Sequence, residues 1–73
     1  MFQELMIEVR RSEVSIAMRG TSLEVAYRKG DAPWLVCSKL GPDDPDALVT
    51  LSEFRALAWA AANEKARELG WIA

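Results

Sequence analysis

Apolar and polar positions alternate cleanly in two stretches of the chain. Val14, Ile16 and Met18 fall on one side of a two-residue period, and Glu13, Ser15, Ala17 and Arg19 on the other. Leu23, Val25 and Tyr27 repeat the pattern against Glu24, Ala26 and Arg28. A period of two over six or seven residues predicts half-buried strands. Arg19-Gly20-Thr21-Ser22 lies between them, and its glycine is free to take positive φ, so the pair reads as a hairpin. Lys29-Gly30-Asp31-Ala32-Pro33 interrupts the alternation, and Trp34-Leu35-Val36-Cys37-Ser38 resumes it. Pro33 suits the first residue of a strand, where no ladder donor is needed.

The N-terminal stretch fits two periods. Phe2, Leu5, Met6 and Val9 match helical spacing, whereas Leu5, Ile7 and Val9 match strand alternation. The β-favouring Ile7-Glu8-Val9 and the lack of an N-cap residue tilt the reading of residues 2–10 toward a strand. The phase of the alternation changes between Val9 and Val14, which calls for a turn or bulge near Arg11-Ser12.

Gly41-Pro42-Asp43-Asp44-Pro45-Asp46 is a loop by composition. The helix start after it is strongly marked. Thr50 and Glu53 have the spacing of a capping box, and Val49 and Phe54 that of a hydrophobic staple. Alanine, the strongest helix former, occupies positions 56, 58, 60, 61, 62 and 66, and Gly70 suits the residue just past the C-cap, with Trp71 folding back. A helix is expected from about Leu51 to Leu69. At about 100° per residue, Leu51, Phe54, Leu57, Ala58, Ala61, Ala62 and Leu69 share one arc. Lys65 falls within that arc and can snorkel past the sheet edge. Trp59 and Ala66 lie on its flank beside Arg55.

These elements make one α+β domain over residues 1–73: a three-stranded antiparallel meander, four-stranded if residues 2–10 pair, with one long C-terminal helix on one face. A domain this small buries only about 60% of its unfolded surface. Small domains often compensate with a metal, disulfides or a partner subunit. One cysteine, Cys37, excludes an intrachain disulfide, and the absence of histidine removes the commonest zinc ligand and the usual general base. Oligomerisation is the stabiliser that remains. The helix, roughly 28 Å long over strands of roughly 20 Å, is also expected to overhang the sheet with part of its apolar length.

Net charge is −2, which weighs against a dedicated nucleic-acid binder. Arg10, Arg11, Arg19, Arg28, Lys29 and Lys39 in the strand half are offset by Glu4, Glu8, Glu13, Glu24 and Asp31, and the helix half is acidic. Arg10, Arg11 and Arg28, with Tyr27 and Trp34 nearby, are the residues a nucleic-acid face would use. The helix start Thr50-Leu51-Ser52-Glu53 lacks the lysine cluster of double-stranded-RNA-binding domains. The start Met1-Phe2-Gln3-Glu4 has no signal-peptide character, no apolar run spans a membrane, and a lone cysteine fits a reducing compartment, so cytoplasm is expected.

Other candidate chemistry reads as structural. Cys37 has no base to activate it and is expected as a small buried filler in its strand. Asp43, Asp44 and Asp46 miss the EF-hand spacing and read as a solvated loop near the positive end of the helix. No catalytic residue, metal ligand or cofactor site is expected. The small side chains of the helix and its Trp59 flank suggest a docking surface of Arg55, Trp59, Ala66 and Trp71.

The run Phe54-Arg55-Ala56-Leu57-Ala58-Trp59, continuing through Ala61 to Ile72 and including Ala66-Arg67-Glu68-Leu69-Gly70-Trp71, resembles an uncharacterised group of small bacterial proteins. That resemblance implies a short strand-then-helix domain, no activity and no functional residues to carry over. The expectation is a non-enzymatic interaction or accessory module that pairs with itself as a homodimer or with another protein. The alternative is a small regulatory nucleic-acid-binding or antitoxin-like protein.

Overall fold

A computed structural model describes residues 5–30 and 34–72. The chain runs β1 (Leu5–Arg10), β2 (Glu13–Met18), β3 (Glu24–Lys29), β4 (Leu35–Leu40) and α1 (Leu51–Glu68). The strands form one antiparallel sheet in chain order, so the meander has four strands. The alternation of Leu5, Ile7 and Val9 prevails over the competing helical spacing. Phe2 and Pro33, to which roles were assigned above, lie outside the described residues.

The change of phase between β1 and β2 is a two-residue turn. Arg10 pairs with Glu13, which brings Val9 opposite Val14 on the same face. Arg11 carries φ 53°, the left-handed region that tight hairpins require. Gly20 (φ 77°) does the same work between β2 and β3.

One face of the sheet carries the core. Val14, Ile16, Met18, Leu23, Val25, Tyr27 and Leu35 are buried there against Phe54, Ala58, Ala61, Ala62 and Ala66 of α1. The helix rests mainly on β2, with a smaller contact on β3. β4 departs from simple alternation. Ala26 pairs with Lys39 and Tyr27 with Cys37, so Ser38 is an extra residue bulged into the strand. Only Leu35 of β4 is buried, and Cys37 is exposed. That corrects the expectation of a buried filler: Cys37 does share Tyr27's row, but on an outer strand beyond the reach of the helix.

Both helix ends follow local rules. The Thr50 hydroxyl accepts from the Glu53 N–H at 3.1 Å, and the Thr50 N–H donates to Glu53 Oε1 at 2.9 Å. At the other end Gly70 (φ 79°) follows the C-cap Leu69; the Trp71 N–H donates to the Ala66 carbonyl at 2.8 Å, and the Gly70 N–H to that of Arg67 at 3.1 Å. This Schellman pattern satisfies two terminal carbonyls. Leu69, assigned to the apolar arc, is exposed, because the chain is already leaving the helix there. Lys65 lies in the arc half-covered, its ammonium 3.1 Å from Glu68. The expected overhang of α1 is closed from within the chain, by Ala47, Val49 and Leu51 around its start and Trp71 and Ile72 after its end.

The capping box carries a pH signature. Hydrogen bonds from the Thr50 backbone N–H, and then its hydroxyl, hold the Glu53 carboxyl below its ordinary value of 4.5. A depressed carboxyl stabilises the fold above the unfolded value and loses that contribution as pH falls through the folded one. The melting temperature of the wild type should therefore drop more steeply below about pH 4.5 than that of Glu53→Gln, which keeps the acceptor without the charge. Parallel acid titrations followed by circular dichroism check this; superimposable profiles would mean that the box contributes nothing through its charge.

Candidate interaction surface

The four residues proposed for docking separate in space. Ala66 is fully buried, so it belongs to the core and not to a surface: Trp71 and Ile72, turned back by the Schellman motif, pack on the cluster that contains it. Trp71 is half-buried in that role. Arg55 and Trp59 stand on the flank of α1 that overlooks β3 and β4. The Trp59 ring meets Tyr27 edge to face, with centroids 5.2 Å apart and planes at 64°, a geometry that favours the contact beyond its area. Trp59 is nonetheless 44% exposed. It screens Tyr27 and keeps one face to solvent.

Tyr27, Cys37 and Arg55 are close enough to sense one another. Burial pushes the Tyr27 hydroxyl above its ordinary value, Cys37 adds to the rise, and the Arg55 guanidinium opposes it. The Cys37 thiol lies 3.7 Å from the Lys39 carbonyl. Its exposure reverses the expected reactivity. A thiol reagent should label Cys37 in the native protein nearly as fast as in denaturant; strong protection in the native state, read by mass spectrometry, would place the thiol under cover.

The basic candidates form no positive field. Arg10 and Arg28 share a row of the uncovered face, but Glu13 stands between them, paired in register with both. Glu13 also accepts from the Ser38 hydroxyl at 2.7 Å, across the small Ala26. Along the same face Glu8 holds Arg10 at 3.2 Å and Glu24 holds Lys39 at 3.6 Å. Arg11 sits apart in the β1–β2 turn. Arg10, Arg28 and Lys39 thus each have an acid beside them, and phosphate binding needs the opposite arrangement.

The aspartates of the 41–50 loop act as local acceptors. Asp44 takes the Ser22 N–H at 2.8 Å and the Asp46 N–H at 3.0 Å, and Asp43 takes the Asp44 N–H at 2.7 Å. Asp44 thereby ties the loop to the β2–β3 hairpin, a role its sequence position did not announce. Gly41 reinforces the tie: its N–H donates to the Glu24 carbonyl at 2.9 Å, and a Cβ there would strike that same oxygen. Among the described residues, no three metal-ligating side chains gather in one place, and no helix is long and apolar enough to cross a membrane.

Two clefts flank the helix. One, of about 350 Å³, lies between the Met18–Thr21 turn and the 46–49 loop, with Leu5 and Leu57 in its walls. The other, of about 320 Å³, is floored by Ile7 of β1 and walled by Ala61, Glu64, Lys65 and Glu68 of α1. Ile7 points to the same face as Ile16, its partner in register, yet remains 44% exposed. Width explains it. Four strands at about 4.8 Å spacing make a face roughly 19 Å across, whereas a helix is only about 10 Å thick. With α1 seated over β2 and β3, the β1 and β4 flanks are left open. One helix set against four strands was the sequence signal for this surface, but it needed the pairing of β1 to be known. Comparison of the chain with models of known protein families, with characterised proteins and with solved structures finds no match.

Proposed function

We propose that this protein is a non-enzymatic interaction or accessory module that works by self-association. The observation that carries the reading is the single helix on a four-stranded sheet, which leaves apolar side chains exposed on the outer strands. Ile7 stands open on the β1 side and Leu40 on the β4 side. A core this small gains from covering such flanks, and a second copy of the chain supplies the complementary surface at no cost in sequence. The interleaved charges of the other sheet face disfavour the nucleic-acid alternative. Light scattering over a range of concentrations tests the proposal. A molar mass of twice 8.1 kDa at micromolar concentration supports it. A mass of one chain at millimolar concentration overturns it.

A further inference from the structure

We infer that two copies pair antiparallel through their β1 edges, with Ile7 on the two-fold axis, to form one continuous eight-stranded sheet; this rests on the self-association proposed above and names its surface. The direction of the backbone groups decides which residues can take part. The Met18 N–H donates to the Leu23 carbonyl, and the Lys29 N–H to that of Ser12. The even-numbered positions of β2 therefore face β3, and Glu13, Ser15 and Ala17 face β1. Their partners in register are Arg10, Glu8 and Met6. The N–H and C=O groups of Leu5, Ile7 and Val9 consequently point out of the sheet along its free edge.

That row is uninterrupted. β1 pairs with β2 through six consecutive positions without a bulge, and it contains no proline. The β4 edge is different: the bulge at Ser38 breaks its row, and Lys39 lies beside the break. Bulges and lysines are the devices that keep sheet edges from pairing. β4 carries both devices; among the described residues β1 carries neither, and its two charges, Glu8 and Arg10, are held to each other.

Register follows from chemistry. With Ile7 opposite Ile7 of the second copy, Leu5 meets Val9 and Val9 meets Leu5, and each pair exchanges both of its backbone hydrogen bonds. Met6 then lies opposite Glu8 on the other face. A shift of two residues one way sets Glu8 against its own copy, two like charges face to face. A shift the other way centres on Met6 and carries Val9 out of the paired segment. Both helices lie on one face of the joined sheet and run antiparallel three to four strand spacings apart, roughly 14–19 Å. The cleft floored by Ile7 then meets its own image. Its walls bring Lys65, already paired with Glu68 of its own chain, to the seam together with Glu64.

Two variants, measured beside the wild type, test this. Ile7→Pro removes an N–H that points away from β2, at an edge position where proline is tolerated, so the fold should persist by circular dichroism. Loss of the central reciprocal pair should weaken the dimer at least tenfold, by an estimate of about two hydrogen bonds. Ile7→Cys in a Cys37→Ser background should form an interchain disulfide with oxidised glutathione, because the paired Cα atoms would sit about 5.5 Å apart. Met6→Cys in the same background should not. A wild-type dimer that survives Ile7→Pro, or that leaves Ile7→Cys uncrosslinked, overturns the β1 pairing while self-association stands. A monomeric wild type overturns both. If Ile7→Pro fails to fold, the cross-linking pair decides alone.

Discussion

Phe54→Ala is expected to lower stability by about 3–5 kcal/mol, the range for removing a buried aromatic ring from a core. Phe54 is fully buried and is among the largest of the completely enclosed side chains. It is the fourth residue of the helix and follows the capping box directly. Its loss would open a cavity where the helix meets the sheet. A domain of this length has roughly 4–11 kcal/mol in total, so the variant should be largely unfolded or melt at least about 12 °C lower. Urea titration followed by circular dichroism measures the change. Leu48→Ala is the control, because Leu48 is fully exposed in the loop before the helix and its removal should alter little. A loss below about 1 kcal/mol for Phe54→Ala would mean that the helix is seated by other residues.

Ala62→Leu should also destabilise, by about 1–3 kcal/mol, although leucine is nearly as good a helix former as alanine. Ala58, Ala62 and Ala66 are completely buried, and Ala61 nearly so. Their small size lets the helix lie close upon Val14 and Ile16, and a larger side chain at position 62 would lift it off the sheet. Ala60→Leu, on the exposed side of the same turn, should leave the melting temperature almost unchanged. The two variants separate packing from propensity. Equal effects in both would mean that the alanines serve only to form the helix.

These two expectations show what could be read from the chain and what could not. Phe54 is legible as the staple residue of a capped helix, because the box and the staple are relations among neighbours in sequence. The same holds for β2, β3 and the glycine after the helix. Alternation and capping depend on residues a few positions apart, and local rules suffice. The N-terminal strand was only partly legible: its apolar positions fit two periods, and pairing with β2 chose between them.

Cys37, Ala66 and Leu69 differ from expectation for one shared reason. Each has the right residue type at the right spacing for the role assigned to it. Whether a side chain is covered depends on what lies opposite it in space. Cys37 sits on an outer strand behind a bulge, and that bulge exists only in the pairing of β4 with β3. Ala66 is buried as part of the cluster between helix and sheet, against which Trp71 and Ile72 also pack, and Leu69 is exposed because it is the C-cap where the chain leaves the helix.

The sequence by itself determined β2, β3, the helix with both of its caps and the apolar face of the central hairpin, all set by contacts short in sequence. The tertiary structure alone decided where the helix rests. Seated over β2 and β3, one helix cannot span four strands. That mismatch of width leaves Ile7 uncovered, and the strand order, which sets β1 at an edge of the sheet, leaves its outward row of backbone donors and acceptors open.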